Sequence, residues 1–190
     1  MFASSHGGGS TACDLPPGDR LVAVLPHAAG DHALLHSARG QALRIDLDRL
    51  RPVKSPAAGG VAGMRLDAGD ELVAATLARD GERILVLHAG GHAKLVPAEL
   101  YPVKGRGTGG VLSAPSDLPR RDPAGPVAAA CALAEDQAAL VVTLSGAIVT
   151  IAPGALEPVA RAAVSRPLLP LVVGDEVVAA VAEAPALRVT

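Results

Sequence analysis

The chain has 190 residues, enough for one large domain or two small ones, and 49% of them are hydrophobic, nearly all Ala, Val, Leu and Ile. Phe2 and Tyr101 are the only aromatic residues, so the core is aliphatic and the stacking platforms that hold unpaired bases are excluded. The net charge is only −2, but residues 18–121 are net basic and residues 122–190 net acidic; the first half suits an anion and the second resists one.

Residues 1–17 form a small, Gly/Ser-rich segment with neither the basic start nor the apolar stretch of a signal peptide, and it is expected to be disordered. Cys13 and Cys131 need no bridge and point to a reducing compartment. From Gly18 onward the chain repeats itself. GDRLVAVL at Gly18 returns as GDELVAAT at Gly69 and as GDEVVAAV at Gly174, with a diverged copy, GPVAAACA, at Gly125. PVKSPAAGGV, from Pro52 to Val61, returns as PVKGRGTGGV, from Pro102 to Val111. A period near fifty residues marks a propeller or solenoid array. The units run over about 18–66, 67–115 and 123–171, with a partial unit at 172–190, so that 18–190 forms one domain.

Each unit reads as four strands. In the first they are Leu21–Pro26, Ala33–Ser37, Ala42–Leu47 and Val61–Leu66. The alternation Leu43-Arg44-Ile45-Asp46-Leu47-Asp48 predicts a half-exposed strand, aliphatic on one face and charged on the other. Ile84-Leu85-Val86-Leu87 is apolar on both faces, as a strand buried on both sides would be. Gly40, Gly91 and Gly146 sit centrally between paired apolar runs, where hairpin turns need a positive φ. Residues 137–156 carry no charge, yet Gly146, Pro153 and the many Val and Thr suit strand-turn-strand better than a membrane helix. No convincing amphipathic helix is present. The fold class is all-β.

Gly105-Arg106-Gly107-Thr108-Gly109-Gly110 fits the glycine pattern of dinucleotide sites, but such a site needs a helix after the glycines and an acidic residue about twenty positions on. Val111-Leu112-Ser113-Ala114 reads as a strand, and Asp117 and Asp122 come too early. These glycines belong to a repeated loop between strands three and four.

The segment from Gly69 to Ser113 resembles one blade of the C-terminal domain found in the A subunits of DNA gyrase and of topoisomerase IV. The shared marks are the G-D-x-[LV]-V-A opening, the second-strand apolar run, the turn glycine followed by Lys or Arg, then E-x-Y-P and R-x-T-x-G-V. The unit at Gly18 matches more loosely, that at Gly125 faintly, and the last only at its first strand. The resemblance implies a β-pinwheel: four-stranded blades around an axis like a propeller, about three to four here in an open or a closed ring, with a strand exchanged between neighbours. It implies a basic outer rim that binds and bends duplex DNA, without sequence preference and with strong salt dependence, for a type IIA topoisomerase. The implied partners are that DNA, the ATPase B subunit, and the catalytic core to which the A subunit contributes. The implied location is the cytoplasm, at the nucleoid.

Two departures stand out. The gyrase-specific box Q-[KR]-R-G-G-[RK]-G is absent, Val103-Lys104-Gly105-Arg106-Gly107 being a worn relative, so gyrase-like chiral wrapping is not implied. The chain also holds three units and a remainder, where closed propellers need about four blades. The tyrosine that cleaves DNA in the core enzyme lies in a helical domain that this chain lacks; Tyr101, inside E-x-Y-P, reads as structural. The chain is expected to be no enzyme on its own but an accessory domain of an ATP-dependent isomerase, with no cofactor.

Duplex affinity of this kind needs positive charges spaced along a surface. The resemblance points to Arg44 and Lys94 just past the hairpin glycines, to Lys54, Lys104 and Arg106 in the loop between strands three and four, and to Arg39, Arg49 and Arg51 nearby. In the third unit Ala147-Ile148-Val149 replaces the basic strand, leaving Arg161 and Arg166 in its loop. His32 and His36, and His88 with His92, have spacings seen in metal sites, but no further ligand completes either set, and no metal is expected. The competing reading is a degenerate propeller that binds another protein and no DNA.

Overall fold

The computed structural model describes residues 11–52, 59–114 and 124–184. The first repeat contributes β1 (His32–Ser37), β2 (Gln41–Asp46) and β3 (Met64–Arg65). The second contributes β4 (Leu72–Leu77), β5 (Arg83–His88), β6 (His92–Pro97), β7 (Val103–Lys104), β8 (Thr108–Gly109) and β9 (Val111–Leu112). The third gives β10 (Val127–Leu133), β11 (Ala139–Thr143), β12 (Ile148–Ile151) and β13 (Arg166–Pro167), and the partial repeat gives β14 (Val177–Ala182). The fold is all-β and propeller-like, as expected.

A blade is not one repeat. The first two sheets are each built on the hairpin of one repeat, flanked on both sides by strands of the next, and the third has such a strand on one side only. The first sheet has the order β4-β1-β2-β7, with β9 also on β2; the second runs β10-β5-β6-β13; the third runs β12-β11-β14. In the first, Leu35 lies opposite Leu43 across the hairpin and opposite Ala75 of β4. On the far side Val111 of β9 pairs antiparallel with Ala42, and Val103 of β7 parallel with Arg44. The second sheet repeats the plan, with Ala130 opposite Val86 and Arg166 opposite Ala93.

This offset corrects two expectations. Residues 21–26 lie in no strand, because a first strand needs the hairpin of a preceding repeat and the described residues hold none before it. The expected strand Val61–Leu66 contracts to Met64–Arg65, which pairs parallel with Thr108 and Gly109 of β8. The expectation for the N-terminal segment lies, for residues 1–10, outside the described residues. The uncharged stretch folds as the hairpin β11–β12, and among the described residues no helix is long and apolar enough to cross a membrane.

The repeated opening now has a physical reason. Its small aliphatics let β4, β10 and β14 pack side by side as inner strands, and with residues 20–22 they line a shared open pocket. Its Asp reaches back to the preceding hairpin turn: Asp70 accepts from the Arg39 N–H at 3.0 Å, and Asp175 from the Ser145 N–H and hydroxyl, both at 2.9 Å. Asp19, with no hairpin before it among the described residues, accepts from the Arg20 N–H, as Asp70 and Asp175 also do from the N–H groups of Glu71 and Glu176.

The core lies between sheets. Leu34, Ile84, Val86, Val96, Tyr101 and Val127 fill the space between the first and second; Leu85, Leu87, Leu95, Val141, Ile151 and Val177 fill that between the second and third. Residues 84–87 of β5 therefore feed both clusters alternately and are buried on both faces, as their sequence predicts. The strand from Leu43 differs from its expectation. Arg44 is 4% exposed, because the second repeat covers the face that alternation assigns to solvent.

Candidate nucleic-acid interface

β7 and β9 lie on the edge of the first sheet opposite the inner strand β4, so the loop between them is carried on the outer rim. The chain reaches it through a single 3-10 turn at Ala98–Leu100 and the buried Tyr101. Tyr101 anchors this segment: its hydroxyl pairs with the Ser113 hydroxyl at 2.9 Å, and its ring meets that of His36 edge to face at 5.8 Å. Two hydrogen bonds then shape the loop. Lys104 Nζ donates to the Gly109 carbonyl at 2.9 Å, and the Thr108 hydroxyl donates to the Gly105 carbonyl at 2.6 Å.

Facing this loop is the 3-10 turn that follows β2. Asp46 caps it, accepting from the Asp48 N–H at 3.0 Å, and pairs with Arg49 at 3.0 Å. Arg49, Lys104 and Arg106 line one groove together with Ile45, Asp46, Leu50 and Gly105. Arg65 extends the cluster. It is exposed on β3, paired with Gly109, and its guanidinium lies 3.4 Å from where a Gly109 side chain would begin. Sequence reasoning missed Arg65, because the parallel pairing of β3 with β8, forty-odd residues away, leaves no local signal. Arg51 is also exposed, two residues beyond Arg49.

Other residues singled out from the sequence sit elsewhere. Arg39 is exposed on the turn between β1 and β2, where its guanidinium donates to the Ala68 carbonyl at 3.0 Å; it does not line the groove. Lys54 lies outside the described residues. Arg44 is turned inward, donating to the Ala78 and Ala98 carbonyls at 3.0 and 3.3 Å and to Asp80 at 2.9 Å. Lys94 is 2% exposed, and its ammonium donates to the carbonyls of Ser113, Arg161 (2.6 Å) and Ala163 (2.9 Å). Burial, helped by the charge of Arg161, pulls the Lys94 pKa down to about 8. Both residues tie one repeat to the next and present no charge to solvent. Arg161 likewise donates to the carbonyls of Leu100 and Leu112.

The histidines do not converge. His88 is held between the Gly125 carbonyl, 2.8 Å from Nδ1, and the Ser165 hydroxyl, 2.9 Å from Nε2. Among the described residues no three His, Cys, Asp or Glu side chains come together as metal ligands would. The groove thus offers several guanidinium and ammonium groups on a backbone fixed by hydrogen bonds, with one partly offsetting carboxylate. That is the chemistry of a site for successive anionic groups rather than for a reaction.

The family model described as the DNA gyrase C-terminal domain, beta-propeller, matches residues 2–28, 31–79 and 89–119. The DNA gyrase A subunit of Mycobacterium tuberculosis strain H37Rv is 35% identical over 180 residues, covering 94% of this chain and 21% of the relative. That of Mycolicibacterium smegmatis mc(2)155 is 32% identical over the same length and shares. The chain thus spans about a fifth of the length of these relatives. Among solved structures, a C-terminal domain of DNA topoisomerase IV superposes with a TM-score of 0.70 at 21% identity, covering 81% of this chain and 47% of that one. A DNA gyrase A C-terminal domain gives 0.71 at 23% identity, covering 80% and 50%. At such identities these two likenesses speak for the fold.

Proposed function

Because the chain belongs to the DNA gyrase C-terminal domain family, we propose that it is a non-catalytic module that engages duplex DNA on its outer rim and bends it for a type IIA topoisomerase. On this reading it works beside an ATPase B subunit, next to the catalytic core of its own A subunit. The observation that carries the reading is the meeting of Arg49, Lys104 and Arg106 on one outer groove, with Arg65 and Arg51 beside them. Charges at such a rim are met by backbone phosphates, which supply affinity and salt dependence but no base readout. Arg44 and Lys94 serve the rim indirectly, by fixing the repeats that carry it. Tyr101 takes no part in strand cleavage: burial pushes its hydroxyl up to about 12, opposite to what a nucleophile at neutral pH requires.

The test is a fluorescence anisotropy titration of labelled linear duplex at several salt concentrations, with energy transfer between the duplex ends to read bending. If about four phosphates are contacted, the log–log salt slope is near −3.6. The Lys104→Glu, Arg106→Glu double variant is expected to lose most of the affinity and flatten the slope. Absence of binding even at low salt would overturn the reading and turn the search to a protein partner.

A further inference from the structure

The two complete blades close in the same way. The turn glycine of one hairpin offers its carbonyl to two successive N–H groups of the next repeat. Gly40 accepts from Ser113 and Ala114, and Gly91 from Leu168 and Leu169. Beside that contact a short clasp strand pairs with the second strand of the hairpin, Val111 opposite Ala42 and Arg166 opposite Ala93.

The third hairpin has neither feature among the described residues. β12 is an edge of its sheet, and no described atom stands within 4 Å of where a side chain at Gly146 would begin. Ile148 holds the place of Ala42 and Ala93, since it lies opposite Val142 as they lie opposite His36 and Leu87. It is 69% exposed, and Leu144 on the same hairpin is exposed as well. A row of open N–H and C=O groups beside apolar side chains is a template for another strand.

The first repeat also carries a clasp segment that covers no hairpin among the described residues. Gly60-Val61-Ala62-Gly63 aligns with Gly110-Val111-Leu112-Ser113 of the second repeat. It lies in no strand, and Val61 is 52% exposed. An acceptor edge on the third hairpin and a matching donor segment in the first repeat define a heterologous, head-to-tail contact.

We propose that the β12 edge takes the Gly60–Gly63 segment of a second copy of this chain, Val61 of one copy lying opposite Ile148 of the next. The incoming strand supplies the missing fourth strand of the third sheet by β-augmentation. β14 keeps its place on the inner side, and residues 21–26, which lie in no strand, yield to it. So short a contact is weak, of micromolar dissociation constant or above.

Sedimentation velocity on the DNA-free chain, from about 5 μM to about 1 mM, tests this. The average mass is expected to climb from the 18.9 kDa monomer without levelling at a dimer. Val61→Glu and Ile148→Lys, both at exposed positions, should each weaken association about tenfold or more, and the double variant, which restores a complementary pair across the contact, should recover it. A mass that stays at the monomer, a plateau at twice that mass, single variants without effect, or a double variant no better than the singles would each overturn the proposal.

Discussion

Arg44 and Lys94 carry the lesson of the single residue. Their charge and their place after a turn glycine are legible in the sequence, but their destination is not, because the face of a strand that meets solvent is decided by a repeat some fifty positions away. Arg49, Lys104 and Arg106 were legible in both respects, whereas Arg65 was invisible until β3 found β8. His36 belongs to the first kind. Its spacing from His32 is legible, but its destination is not: it is fully buried with neither ring nitrogen partnered among the described residues. Burial first, and the charge of Lys94 second, hold its pKa at about 3 against the ordinary 6.5. Between those values the unfolded chain takes up a proton that the folded chain refuses. The stability tied to His36 is therefore complete above pH 6.5 and falls as pH drops toward 3. The loss from pH 6.5 to 5 is about 2 kcal/mol, before most carboxylates titrate. Urea midpoints over that window should decline in the parent chain and stay nearly flat in His36→Phe; equal slopes would show that His36 does not govern the decline.

At the scale of the element, hairpins were predictable and their flanking strands were not. A hairpin is local: the alternation of β1 and β2, the doubly buried β5 and the turn glycines specify it within fifteen residues. Inner strands and clasps pair with a different repeat, so their sequence records that they are strands without recording whose. The expected strand at Leu21–Pro26 failed for that reason alone, since its composition matches that of β4 and β14. The glycines make the difference measurable. Gly91 has φ +79°, and a side chain there would come within 2.5 Å of the Leu169 carbonyl; Gly146 has φ +86° and open space. Both Ala substitutions meet the left-handed backbone penalty of about 1–2 kcal/mol. Only Gly91→Ala must also push the clasp away, losing two hydrogen bonds at roughly 1 kcal/mol each. Denaturant unfolding should rank Gly91→Ala at least about 2 kcal/mol below Gly146→Ala. Similar losses at the two sites would mean that the clasp contributes little.

The whole molecule is an array in which each repeat completes the sheet of its predecessor and leaves its own to its successor. A fragment of residues 1–66 contains a whole sequence repeat but only the hairpin of a blade. It should show neither a cooperative unfolding transition nor dispersed amide resonances, whereas the full chain is expected to show both. A folded fragment would mean that the repeat is autonomous after all. The same offset shapes how such a molecule can be inherited. A copying error that inserts or deletes one repeat in register leaves every joint of the same kind as before, so blade number can drift without a new interface having to arise. A substitution in one repeat, by contrast, is felt in the blade of the repeat before it. In a lineage of such chains, compensating changes should therefore fall in successive repeats, Val111 with Ala42 and Arg166 with Ala93, rather than among neighbours along the chain.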